Sequence, residues 1–95
     1  MDTNKRAEFI ISGLVQGVGY RYFCQRKVAA LGLTGWVRNE PDRSVSAFVE
    51  GDRSLIESLI ADLKVGPHSS QVTNIHVEWK TFSGEHLDFQ IRMSH

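Results

Sequence analysis

The apolar residues of this chain change their spacing in a set order, and that order leaves few folds open. Residues 8–12 are a short β-branched run stopped by Gly13, which predicts a strand leading into a glycine-containing loop. From Tyr22 to Leu31, the positions of Cys24, Val28 and Leu31 place apolar groups on one helical face, leave Gln25, Arg26 and Lys27 for the other, and meet a stop at Gly32. Residues 35–39 and 44–50 read as two strands joined by a turn at Pro41-Asp42, with Val45, Ala47 and Val49 alternating against Ser46 and Glu50. Leu55, Ile56, Leu59, Ile60 and Leu63 then return at helical spacing behind a capping box of Ser54 and Glu57, and Gly66-Pro67 ends the run. Residues 71–79 alternate once more, Ile75, Val77 and Trp79 against His76 and Glu78. Leu87, Phe89, Ile91 and Met93 repeat that pattern near the end.

Strand, helix, strand, strand, helix, strand is therefore the expected order, with a short extra strand last. Two interlocked right-handed crossovers turn that order into an α+β, ferredoxin-like βαββαβ sandwich, one antiparallel sheet with both helices on one face. In that topology the first and second strands run parallel with the third between them. The loop leaving strand one and the end of strand two then emerge at the same edge, roughly 10 Å apart for a strand spacing of about 4.8 Å, a gap that suits a phosphate and a water. Ninety-five residues, 41% of them hydrophobic, support a single core, so one domain over 1–95 is expected, with residues 1–6 as a flexible tail.

Eleven basic residues balance eleven acidic ones. No overall field draws such a chain onto nucleic acid or an anionic membrane, and any anion site has to be built locally. Cys24 is the single cysteine, and a small domain without a disulfide points to a reducing compartment, so the cytoplasm is expected; a monomer is the simplest oligomeric state. No stretch approaches the roughly 20 apolar residues of a membrane span, and the first fifteen residues carry no cleavage pattern. His68, His76, His86 and His95 lack metal-ligand spacing, so no metal or other cofactor is expected. Cys24 follows Arg21 inside the expected helix, whereas a phosphatase nucleophile would precede that arginine within the loop; it reads as a packed side chain whose place near a helix N-terminus could lower its pKa.

The segment Val15-Gln16-Gly17-Val18-Gly19-Tyr20-Arg21 runs from the first strand into the first helix. Glycines there let successive backbone N–H groups turn inward around an anion at a helix N-terminus, and an arginine at the end adds a planar fork suited to phosphate oxygens. Asn39 ends the second strand, and by parity it shares the face of Val37, toward the helix layer along which the loop passes. Each feature alone is common punctuation, since glycine turns precede surface arginines and asparagines end strands without any function. Their pairing across one sheet edge gives them meaning.

The same residues resemble the acylphosphatase family. Gly13-Leu14-Val15-Gln16-Gly17-Val18-Gly19-Tyr20-Arg21 matches its first signature, and Gly35-Trp36-Val37-Arg38-Asn39, followed by Val45 and Gly51, matches the second at the expected separation. Gly66-Pro67 and Phe89-Gln90-Ile91-Arg92 extend the likeness over nearly the whole chain. The resemblance implies hydrolysis of the carboxyl–phosphate bond of acyl phosphates by direct water attack, without metal or covalent intermediate. It implies that the loop amides from Val15 to Tyr20 and the Arg21 guanidinium bind phosphate, and that Asn39 orients the nucleophilic water. The substrate would be a small acyl phosphate and the loop would also hold inorganic phosphate.

Two positions depart from the family pattern. Tyr20 stands where phenylalanine is usual, so its hydroxyl needs a partner. Arg43 stands where the second signature has glycine; if that position demands a positive φ, the cost is on the order of 1 kcal/mol.

Few catalytic groups are needed for this chemistry. An acyl phosphate expels a carboxylate whose conjugate acid has a pKa of roughly 4 to 5, so no general acid is required. What remains is to place a water in line and to neutralise charge on the equatorial oxygens. Two other readings stay open at this point. RNA-recognition domains share the strand order and stack bases on sheet aromatics, but Gly19-Tyr20-Arg21-Tyr22-Phe23 falls at a loop and helix start. A phosphate- or carbamoyl-phosphate-binding domain like those in larger hydrogenase-maturation proteins is the third.

Overall fold

Seven elements follow one another in the computed structural model, which describes residues 3–92: β1 (Asn4–Leu14), α1 (Tyr20–Ala30), β2 (Thr34–Asn39), β3 (Val45–Asp52), α2 (Arg53–Val65), β4 (Gln71–Lys80) and β5 (Phe89–Ile91). The sheet order is β4-β1-β3-β2-β5. β3 lies between β1 and β2 and is antiparallel to both, as the crossover rule requires. The expected βαββαβ sandwich with a short final strand is thus the architecture found. The sheet is mixed, however, because β5 runs parallel to β2, with Gly35, Trp36 and Val37 opposite Phe89, Gln90 and Ile91. β4 and β5 occupy opposite edges, so the chain crosses the width of the sheet between them and re-enters alongside β2 in the same direction.

The core lies between the sheet and the helices. Phe9 and Ile11 from β1, Val37 from β2 and Val45 and Val49 from β3 meet Cys24 and Val28 of α1 and Ile56, Leu59 and Leu63 of α2, all essentially inaccessible to water. Burying each of the larger aliphatic side chains contributes roughly 1.5–3 kcal/mol, so the face of α2 carried by Ile56, Leu59 and Leu63 is enough to hold that helix in place.

Three expectations are corrected. Residues 4–6 are not tail: β1 begins at Asn4, and Arg6 pairs with both Glu50 and Lys80. A strand between two neighbours gains ladder hydrogen bonds whatever its side chains, so the polar composition of that stretch misleads. α1 begins at Tyr20, two residues ahead of the expected stretch from Tyr22. α2 is capped by the side chain of Asp52, whose Oδ1 accepts from Ser54 N at 2.9 Å, while Glu57 is paired with Arg53 at 3.0 Å instead of closing a capping box. Met93 and His95, and residues 1 and 2 of the expected tail, lie outside the described residues.

The helix-free face also departs from a simple polar exterior. Ser46, Phe48 and Glu50 on β3 are buried there: the segment between β4 and β5 crosses over Phe48 and Glu50, and the Ser46 hydroxyl donates to the Glu40 carboxylate. Ser83 N and Gly84 N donate to the Glu50 carboxylate at 2.6 and 3.1 Å, and His86 meets Phe48 edge-on at 4.9 Å. No described helix is long and apolar enough to cross a membrane.

Candidate active site

The first-loop backbone is shaped by its glycines. Gly17 and Gly19 have φ of 73° and 78°, the left-handed region that other residues enter at a cost, and a Cβ at either position would meet open space. Gly19 is the N-cap of α1 and supplies no side chain, and no acidic residue occupies the first turn. Among the described residues, none of the backbone N–H groups from Gln16 to Arg21 donates to a backbone carbonyl. Loop and helix start therefore present a run of uncommitted donors, reinforced by the positive end of the α1 dipole.

Hydrogen bonds tie both ends of this loop to the chain on either side of Asn39, directly to the turn that follows β2 at one end and through Arg92 to β2 at the other. At the start, Gln16 Nε2 donates to Glu40 O and to Ser44 O, each at 2.8 Å. At the far end, Arg21 Nη1 donates to Arg92 O at 3.1 Å, and Arg92 N donates to Val37 O at 2.8 Å. Val37 is two residues from Asn39 on the same face, roughly 7 Å by strand rise. Asn39 itself pairs with Val45, whose side chain is in the core. Its Oδ1 is buried and has no hydrogen-bond partner among the described residues. A buried acceptor left unsatisfied costs about 1–3 kcal/mol, so this oxygen is a place where a donor such as water gains much.

Beyond Asn39 the chain turns through Glu40-Pro41-Asp42-Arg43. Arg43 N donates to Glu40 O at 3.1 Å, Glu40 N to Ser44 O at 2.9 Å, and Arg43 has a φ of 76°. The position does demand the left-handed region, as the glycine in the family pattern implied. The Asp42 carboxylate accepts from Ser44 Oγ and Ser44 N, which holds it below the usual carboxylate range and fixes the turn from inside.

The Tyr20 hydroxyl has found its partner: it donates to Leu63 O at 2.7 Å in the interior, tying the first turn of α1 to the last turn of α2. Burial raises its pKa well above the ordinary phenol value. Burial also pushes the Cys24 thiol up to about 12, so it stays a neutral, packed group despite its place in α1. Among the described histidines, His76 lies 3.3 Å from Glu78 and His86 packs on Phe48, both on the face away from the loop.

Comparison with known proteins decides the family. A family model described as Acylphosphatase matches residues 7–91. This chain belongs to the acylphosphatase family. An acylphosphatase from Pelotomaculum thermopropionicum is 42% identical over 86 residues, covering 90% of this chain and 94% of the relative. The crystal structure of an acylphosphatase from Bacillus subtilis superposes with a TM-score of 0.90 at 35% identity, covering 93% of this chain and 98% of that one. Full-length HypF, in a phosphate- and nucleotide-bound form, contains a similar unit: TM-score 0.88, 32% identity, 96% of this chain but 12% of that one.

Within the acylphosphatase frame, the contribution that sequence reading missed is the side chain of Gln16. It counted as a phosphate-binding loop residue through its amide, yet its carboxamide reaches the hairpin beyond Asn39. Nothing in the spacing reveals this, because the partners lie 24 and 28 residues away.

Proposed function

We propose that this protein hydrolyses acyl phosphates with Arg21 and the amides of Val15 to Tyr20 holding the phosphoryl group and Asn39 holding the attacking water. The observation that carries this reading is the mooring of one loop on both sides of Asn39, with its amide donors uncommitted. The phosphoryl oxygens sit against the N–H groups at the start of α1, and the Arg21 guanidinium donates to the equatorial oxygens, where charge grows in the transition state. Asn39 Oδ1 accepts a hydrogen from the water and turns its lone pair toward phosphorus, opposite the departing carboxylate. The leaving carboxylate is a weak base and departs without a proton donor, so neither a metal nor a covalent intermediate is needed.

The substrate class is small acyl phosphates, with inorganic phosphate as product and loop ligand. A cytoplasmic monomer fits a domain whose single cysteine is buried as a free thiol. No nucleic acid or membrane partner is expected of a chain with zero formal charge. Release of phosphate from benzoyl phosphate in the presence of chelator tests the proposal. Wild type should be active, while Arg21→Ala and Asn39→Ala should each lose activity at unchanged folding. Full activity in either variant removes that residue from its role.

A further inference from the structure

Resting on that reading, we infer that the Gln16 side chain is a positioning residue which sets the distance between the phosphate loop and the water held by Asn39. The sheet leaves a gap at this point. β1 pairs with β3 only as far as Ile11 opposite Val45; from Ser12 to Leu14 it pairs with β4 alone. The chain therefore turns away from β3 before the loop begins, and β3 is the strand that separates β1 from β2. No ladder hydrogen bond fixes the loop against the hairpin that carries Asn39.

Gln16 closes that gap. Its amide nitrogen has two hydrogens, and it donates to two carbonyls, Glu40 O and Ser44 O, both at 2.8 Å. These carbonyls flank the Asn39–Val45 pair, one on the residue after Asn39 and one on the residue before Val45. Glu40 O also accepts from Arg43 N, and Ser44 O from Glu40 N, so the side chain enters the network that shapes the turn. With both donors committed to the hairpin, the side chain of Gln16 is turned away from any phosphate in the loop. Its influence on the reaction passes through Asn39.

In-line attack depends on the separation of water and phosphorus, and a misplacement of about 1 Å can cost on the order of a hundredfold in rate. Loss of the tether is thus expected to lower kcat while leaving phosphate affinity nearly intact, because the loop amides and Arg21 are untouched. Gln16→Met keeps the length and removes both donors. Gln16→Glu keeps the shape and replaces the donors with a carboxylate facing two carbonyls, and it regains one donor when protonated.

The test is a double-mutant cycle on benzoyl phosphate hydrolysis, with kcat, KM and competitive inhibition by inorganic phosphate measured for wild type, Gln16→Met, Asn39→Ala and the double variant. Gln16→Met should lower kcat by about tenfold or more, with KM and phosphate inhibition within about threefold, and that loss should vanish in the Asn39→Ala background. Gln16→Glu should recover part of its kcat, relative to wild type at the same pH, as pH falls toward the carboxylic acid range, an effect that general loosening of the fold would not produce. Additive losses in the cycle overturn the tether while leaving the acyl phosphate reading standing. So does a rise in KM and phosphate inhibition constant at unchanged kcat, which would make Gln16 a direct ligand. If Gln16→Met is unfolded, Gln16→Glu decides, and a pH profile parallel to wild type overturns the tether. Wild type without hydrolysis overturns the reading of function and the tether together.

Discussion

The two helices begin in opposite ways. α2 starts at a residue whose own carboxylate closes its N-terminus: Asp52 accepts from Ser54 N and Ser54 Oγ, and Thr3 Oγ1 donates to its other oxygen at 2.6 Å. α1 starts at Gly19, which has no side chain to offer, follows a second glycine at position 17, and places Arg21 in its first turn. Both termini have the same orphan N–H groups and the same dipole. One carries a built-in anion and is a structural joint; the other lacks one and is left ready for an anion from solution. The difference lies in one side chain each, and it separates a stabilising helix start from the one proposed to bind phosphate.

Removing the guanidinium from the open terminus should have the largest effect. Arg21→Ala is expected to lower kcat/KM by a factor corresponding to about 3 kcal/mol or more, and Arg21→Lys should restore only part of it, since a point charge cannot match a planar fork. Equal rates for wild type and Arg21→Ala in steady-state assays would break the comparison at once. Asn39→Ala comes next, with a fall in kcat of about a hundredfold and a smaller change in phosphate affinity; a pure KM effect would make Asn39 a binding residue.

The comparison sharpens when the two termini are exchanged. Gly19→Asp gives α1 the anion that α2 already has. Its carboxylate should compete with substrate and raise KM by at least about tenfold, with about 1 kcal/mol of strain from the left-handed backbone. An unchanged KM would show that the α1 terminus is not where the phosphate sits. Asp52→Ala opens α2 and should lower Tm by several degrees at neutral pH without altering KM. Hydrogen bonds from Ser54 and Thr3 hold the Asp52 carboxyl down to about 2, below its unfolded value. Its stabilisation is therefore fully present above about pH 4 and is lost as pH falls toward about 2, so the Tm gap between wild type and Asp52→Ala should narrow over that window in thermal melts.

The smallest effect concerns the hairpin. Arg43 has a φ of 76° and an exposed side chain, so glycine there removes about 1 kcal/mol of left-handed strain. The larger entropy of glycine in the unfolded chain returns roughly half of it, and Arg43→Gly should raise Tm by about 2–4 °C. A lower Tm would show that the Arg43 side chain contributes more than its backbone costs.

Much of this was legible in the amino-acid order because it follows from periodicity. The shift from period two to period 3.6 and back set out the strands and helices, and the crossover rule then placed β1 and β2 on either side of β3. Arg21 and Asn39 were visible as the charged end of a glycine turn and the polar end of a strand. The cap of α2 was misread because Asp52, Ser54 and Glu57 are all residue types used at helix starts, and only coordinates say which oxygen reaches which N–H. Glu50 was placed on the polar side of β3 by alternation. It is 1% exposed because Ser83 and Gly84, more than thirty residues on, fold over it. Gln16 escaped for the same reason: a side chain that bridges two segments leaves no periodic trace.

The open terminus of α1 can be tested directly by titrating inorganic phosphate into nitrogen-15-labelled protein and following the amide resonances. The shifts are expected to concentrate on the backbone amides from Gln16 to Arg21 and on the Asn39 side chain, with those of Arg53, Ser54 and Leu55 at the start of α2 left in place. Perturbation centred on the α2 terminus, or on the Trp36 and Phe48 face of the sheet, would contradict it.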